Sequence, residues 1–310
     1  MKTFDSIIIG AGPAGLTAGI YLARAKQKVL IIDKGMGGGQ VILTHAVANY
    51  PGVPETFGYK LASEMKKQAA DFGCRILPNK EISSMDLKGK VKTVTAEGET
   101  YEAASVILAV GGKPRTLGLE SEKKFQGTGI SYCATCDGDF FTGEDIVVVG
   151  GGNSALEEAV SLTQYAKSVT IVHQFDHFQA YAHAIKAAED NPKVSFIMES
   201  VIEEFLGDET LTGIRVKNKK TGESATIEAT GAFIFIGYVP STEPFEGIIN
   251  LNDRKEILTN EDMATSVAGV FAAGDVRAKK FRQITTAVSD GTIAALSAMD
   301  YMHGPDPDKI

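Results

Sequence analysis

The chain has 310 residues, 44% of them hydrophobic and 23% charged, with a net charge of -8, which is enough length for two domains and an ordinary globular composition. The acidic excess argues against a nucleic-acid binder, whose footprint is basic, and it has the wrong sign for an anionic membrane surface. No apolar run is long enough to span a bilayer, and three cysteines are too few for a disulfide-stapled secreted domain, so a reducing, cytoplasmic compartment is expected.

At the N-terminus, Lys2 followed by apolar residues suggests a signal peptide, but Asp5 interrupts the run. Ser6 to Ile9 reads as a short apolar strand leading into Gly10-Ala11-Gly12-Pro13-Ala14-Gly15. Helical spacing follows from about Ala14 to Ala25, and Val29 to Ile32 is a second strand that ends at Asp33. Residues 80 to 109 read as short strands closing on the buried strand Ser105 to Ala109, then Gly111 and Pro114.

The same order recurs further on. Ile146 to Val149 runs into Gly150-Gly151-Gly152-Asn153-Ser154-Ala155, a helix reaches about Tyr165, and Val169 to Val172 ends at His173. The interval from Gly10 to Asp33 equals that from Gly150 to His173. Residues 194 to 236 again read as strands with polar turns, closing on Ala232 to Ile236, then Gly237 and Pro240. One glycine-rich turn is weak evidence. Strand, glycines, helix and strand in order, twice, predict two dinucleotide sites. The glycines let backbone approach a pyrophosphate, and the helix N-terminus presents N–H groups and a positive dipole end to it.

The copies differ at the position that meets the adenosine ribose. Asp33 can accept from ribose hydroxyls, which suits FAD or NAD. His173 stands there in the second copy, followed by Gln174, Phe175, Asp176, His177, Phe178 and Gln179. That stretch has no Arg or Lys for a 2′-phosphate, and Asp176 opposes one.

Between the copies lies Cys133-Ala134-Thr135-Cys136-Asp137. Two thiols at this spacing can close a small disulfide ring and exchange with other disulfides. Zinc and two buried structural thiols are the alternatives. Zinc lacks a second cysteine pair, and polar Thr135, Asp137 and Asp139 argue against deep burial. Lone Cys74 reads as core packing. Phe140 and Phe141 suit a docking knob and core anchoring about equally.

Together these motifs resemble low-molecular-weight thioredoxin reductase over essentially the whole chain. The resemblance is carried by residues 10 to 15, Gly38-Gly39-Gln40, Asn49-Tyr50-Pro51-Gly52, the run 133 to 138, Gly150 to Ala155, Gly274-Asp275 and Arg282-Gln283-Ile284. It implies an α/β fold of two Rossmann-like, three-layer ββα domains. The FAD domain would comprise residues 1–114 and 243–310, with a pyridine-nucleotide domain at 115–242 inserted, in a homodimer. It assigns Gly10, Gly12, Pro13, Ala14, Gly15, Asp33, Gly39, Gln40, Asn49, Gly111, Gly274, Asp275, Arg282, Gln283 and Ile284 to FAD. Gly150, Gly152, Asn153, Ser154 and His173 fall to the nicotinamide nucleotide. Cys136 would face the flavin, Cys133 would attack the disulfide of thioredoxin or a thioredoxin-like protein, and Asp137 would move protons. No metal is expected.

The family pattern carries His-Arg-Arg and a further Arg that clamp the NADPH 2′-phosphate. Here the matching positions are His173, Gln174, Phe175 and Gln179, so NADH is expected ahead of NADPH. Reduced ferredoxin is the alternative donor. A dithiol oxidase using oxygen and a non-catalytic flavin redox sensor are the competing readings. Thr128 stands in a region where the family often carries Arg near the partner surface.

Overall fold

The computed structural model describes residues 2–43, 47 and 49–304. The chain divides into two compact units. One comprises the chain up to Lys113 and from Val239 on, and the other is Pro114–Tyr238. The chain passes between them at Gly112–Pro114 and Tyr238–Pro240, two short strands that pair with each other.

The first unit is built on a seven-stranded sheet. Strand Lys2–Ile9 lies at its centre, parallel to Val29–Ile32 on one side and to Glu99–Leu108 on the other. Arg75–Leu77 and Val270–Ala272 extend the parallel set, and Lys92–Ala96 and Ile82–Asp86 add an antiparallel edge. Ile7–Ile9, Val29–Ile32 and Val106–Leu108, at the carboxyl ends of these strands, are aliphatic because both faces of the sheet are covered there. One core cluster holds Ile8, Ile31 and Ile107 with the helix residues Leu16, Leu22, Leu61 and Ala294. The other holds Ile7, Ile9, Leu30 and Val106 with Phe245 and Ile257. The first strand starts four residues before the apolar run at Ser6, because Lys2–Phe4 already pair with Tyr101–Ala103 and Phe4 is buried.

The second unit repeats the plan. Five parallel strands run in the order Val194–Ile197, Ser168–Val172, Asp145–Val149, Gly231–Ile234, Ile130–Ser131. Helices Asn153–Leu162 and Ala182–Glu189 contribute to the core cluster that takes Ile146, Val148 and Ile171. The antiparallel strands Ser200–Gly207 and Leu211–Asn218 contribute to the cluster that takes Val147, Val149 and Ile234. This alternation along one strand is the ββα layering expected from the repeat. Each fully buried Ile or Val contributes roughly 1.5–3 kcal/mol. The sheets therefore carry the stability, and the turns at their carboxyl ends can be shaped for ligands.

Candidate active site

The first glycine turn follows the central strand of its unit. Gly10 sits at φ +106° and its N–H reaches the Ile32 carbonyl at 2.8 Å; a side chain there would overlap the Ala109 carbonyl. Helix Pro13–Arg24 then starts with Gly12 as N-cap, with no side-chain cap and Pro13 at its first position. Proline has no N–H to leave unpaired, and the amides that follow point an uncapped, positive helix end outward. Asp33 is fixed beside this turn, its two oxygens accepting from Ala11 N at 2.6 Å and Gly35 N at 2.7 Å. Each oxygen keeps a second lone pair for a ribose hydroxyl. Gly38 N donates to the Ala11 carbonyl at 2.7 Å, which brings Gly39 against Gly12. Gln40 and Asn49 are exposed, and Gly111, just before strand Gly112–Pro114, has positive φ and open space beside it.

The C-terminal segment closes the same cradle. Gly274, at φ +79°, packs against Ala14. Asp275 beside it is mostly buried, its Oδ1 has no hydrogen-bond partner, and burial pushes its carboxyl pKa up. Arg282 pairs with buried Glu256, which also accepts from Asn252. Gln283 caps helix Ile284–His303 in a reciprocal pair with Thr286, and Ile284 packs on the core.

A buried acceptor without a donor, an uncapped helix N-terminus and a ribose-type carboxylate want a polyol, a pyrophosphate and an adenosine ribose. FAD carries all three, and these residues fit it.

In the second unit, Gly150 is at φ +142° with its N–H on the Val172 carbonyl at 3.1 Å, and Gly152 is another N-cap without a side-chain cap. Segment 174–181 folds back across this turn. Gln179 N donates to the Gly151 carbonyl at 2.8 Å, and Asn153 Oδ1 accepts from Tyr181 N at 2.6 Å. Ser154 is exposed. His173 is buried at 5% exposure, its ring against Gly151 and stacked on Phe178. Its Nε2 lies 3.1 Å from the His177 carbonyl, so Nε2 carries the proton. Burial lowers its pKa, partly offset by that carbonyl, so the imidazole stays neutral and offers no charge to a phosphate. Phe175 has Lys219 above its ring at 5.4 Å. This cation comes from the hairpin after strand Leu211–Asn218, and no motif in the 173–179 stretch pointed to it.

Cys133 and Cys136 are joined by a disulfide, with Cα atoms 5.3 Å apart, at the start of the short helix Ala134–Asp137. Both are partly exposed. In the oxidised pair neither sulfur is a metal ligand. Ser131 organises the ring: its Oγ donates to Asp137 Oδ2 at 2.6 Å and accepts from Cys133 N at 3.0 Å. Tyr132 donates to buried Glu122 at 2.7 Å, and Glu122 also accepts from Leu117 N and Gly118 N. Ser131 and Glu122 escaped sequence reasoning because neither belongs to a motif. Of the aromatic pair, Phe141 packs edge-on against Phe233 in the core, while Phe140 is 46% exposed. Cys74 is buried, as core packing requires, and burial pushes its thiol up to about 11.

Two glycine cradles and an exchangeable disulfide define a dinucleotide-dependent disulfide oxidoreductase. The pyridine nucleotide-disulphide oxidoreductase family matches residues 4–291. A thioredoxin reductase of Peptoclostridium acidaminophilum is 46% identical over 308 residues, covering 97% of this chain and 98% of the relative. One from Bacillus subtilis is 42% identical over 302 residues, 97% and 95% of the two chains. The solved thioredoxin reductase of Streptococcus pyogenes superposes with a TM-score of 0.92 at 41% identity, covering 97% of this chain and 98% of that one. The chain belongs to the pyridine nucleotide-disulphide oxidoreductase family and is an FAD-dependent oxidoreductase. The resemblance to low-molecular-weight thioredoxin reductases holds over its length. Among the described residues no helix is long and apolar enough to cross a membrane.

Proposed function

We propose that this chain is a cytoplasmic, homodimeric thioredoxin reductase. It passes electrons from NADH, in preference to NADPH, through FAD and the Cys133–Cys136 disulfide to a disulfide of thioredoxin or a thioredoxin-like protein. The observation that carries the reading is the partly exposed disulfide, with Asp137 tied to it through Ser131, in the unit that also holds the second glycine cradle. The thioredoxin reductases among its relatives support the partner class.

Gly10, Gly12, Pro13, Ala14, Gly15 and Asp33 hold the pyrophosphate and adenosine ribose of FAD. Gly39, Gln40, Asn49, Gly111, Gly274, Asp275, Arg282, Gln283 and Ile284 hold the remainder. Gly150, Gly152, Asn153, Ser154 and His173 hold the nicotinamide nucleotide. Bound FAD supplies hydride acceptance and two-electron delivery. Two electrons and two protons convert the Cys133–Cys136 disulfide to two thiols. The Cys133 thiolate attacks the partner disulfide, forming a mixed disulfide and releasing one partner thiolate. The Cys136 thiolate then attacks the Cys133 sulfur, releasing the second and restoring the ring. Asp137, held by Ser131, takes and returns protons as the sulfurs change state.

The NADH preference rests on the neutral imidazole of His173 and on Gln174, Phe175 and Gln179 in place of arginines. The test is anaerobic stopped-flow of the purified yellow protein, following flavin bleaching with NADH and with NADPH, then adding oxidised thioredoxin. Much faster bleaching by NADH, with recovery of colour on adding thioredoxin, is expected. Equal rates overturn the donor preference. Bleaching by neither moves the electron source to ferredoxin or a dithiol.

A further inference from the structure

Past Ile284 the long C-terminal helix Ile284–His303 carries no motif residue, yet two adjacent residues in it touch both walls of the first cradle. Asp290 is buried, at 6% exposure. One of its oxygens accepts from the backbone N–H of Gly274 at 3.0 Å and from Lys279 Nζ at 2.7 Å, and the other accepts from Arg277 Nη1 at 3.0 Å. Lys279 and Arg277 are themselves largely buried, with side chains 10% and 16% exposed. The carboxylate therefore fastens both ends of the turn that carries Asp275. Gly291, the next residue, lies so close to the phosphate-side helix that a side chain on it would overlap the Ala14 carbonyl. Gly274 in turn packs against both Ala14 and Ala287.

We infer that Asp290 and Gly291 are positioning residues for FAD, setting the spacing between the Pro13–Arg24 helix end that takes the pyrophosphate and the Gly274–Asp275 turn that takes the polyol. Several facts converge on this. Asp275 Oδ1 is buried without a partner, an arrangement that costs free energy unless a ligand hydroxyl answers it. The turn holding it has a glycine at positive φ and bonds forward to Asp290. A buried carboxylate accepting from two cations and a backbone amide is a rigid anchor, whereas removing it leaves Lys279 and Arg277 without their common partner. A dinucleotide spans both walls, so a shift of one against the other misplaces one end of the ligand.

The inference rests on the flavin assignment, and its test separates the two. FAD affinity is read from flavin fluorescence on diluting the purified holoprotein, and thermal midpoints are measured with excess FAD and after flavin removal. Asp290→Asn and Gly291→Ala are compared with the exposed neighbour Ser289→Ala. Both positioning variants are expected to bind FAD about tenfold or more weakly. The midpoint gained on adding FAD shrinks in both, while Ser289→Ala behaves as wild type. If the flavin-free and flavin-bound midpoints fall together and affinity is unchanged, the residues are structural only and the inference is overturned. Gly291→Ala changes no charge, so it carries the test if Asp290→Asn does not fold. Failure of the wild-type protein to retain FAD would instead sink the cofactor assignment itself.

Discussion

His173 shows how one side chain's surroundings decide its chemistry. It stands at the end of a strand after a glycine turn, its ring buried against Gly151 and Phe178, with Nε2 on the His177 carbonyl. Its folded pKa is depressed, so its contribution to stability is present above the unfolded value near 6.5 and is lost as pH falls below it, where only the unfolded chain takes up the proton readily. Replacing His173 with Gln should therefore flatten the fall in urea midpoint between about pH 7.5 and about pH 5.5. An unchanged slope would mean that the imidazole is solvated. Residues such as Cys133, Cys136 and Asp33 could be picked out because chemistry demands them at a motif spacing. Asp290 and Glu122 could not, because an acid in a helix pattern looks solvated until the fold supplies its partners.

At the scale of elements, strand–glycine–helix–strand units were legible because the 2- and 3.6-residue periods are local. Helix Gly58–Asp71 lies outside the elements expected, although its buried positions Leu61, Ala62, Met65 and Ala69 keep helical spacing. The proposed donor preference rests on the sequence and on the structure of segment 174–181. Its arginine-free character was plain, but Lys219 over Phe175 was not, since it arrives from a distant hairpin. A single flexible lysine already engaged with a ring is a weaker clamp than planar arginines. Installing Gln174→Arg, Phe175→Arg and Gln179→Arg together should raise kcat/KM for NADPH relative to NADH by about tenfold to a hundredfold, the worth of one or two charge-assisted hydrogen bonds. Steady-state kinetics with both nucleotides measures it, and an unchanged ratio would mean that this segment does not meet the 2′-phosphate.

For the molecule as a whole, each compact unit has an apolar cluster on both faces of its own sheet. Such units can unfold separately. Calorimetry of the flavin-free protein is expected to resolve two transitions, with added FAD raising only the one belonging to the unit that holds Gly10 to Gly15. Binding to a folded state stabilises it by about 2.7 kcal/mol at a hundredfold excess over Kd. Movement of both transitions together would mean that the units melt as one.

By itself the sequence determined the repeated βαβ pattern, the glycines that only a close ligand or tight turn requires, and the exchangeable cysteine pair. Those are local, because a period, a missing side chain or a three-residue interval survives without the fold. Only the tertiary structure decided that Asp275 Oδ1 is buried and unanswered, that Asp290 ties Gly274 to two cations, that Ser131 links Cys133 to Asp137, and that His173 is neutral. Each of these depends on desolvation or on partners remote in sequence, and both arise when the sheets assemble and water is excluded.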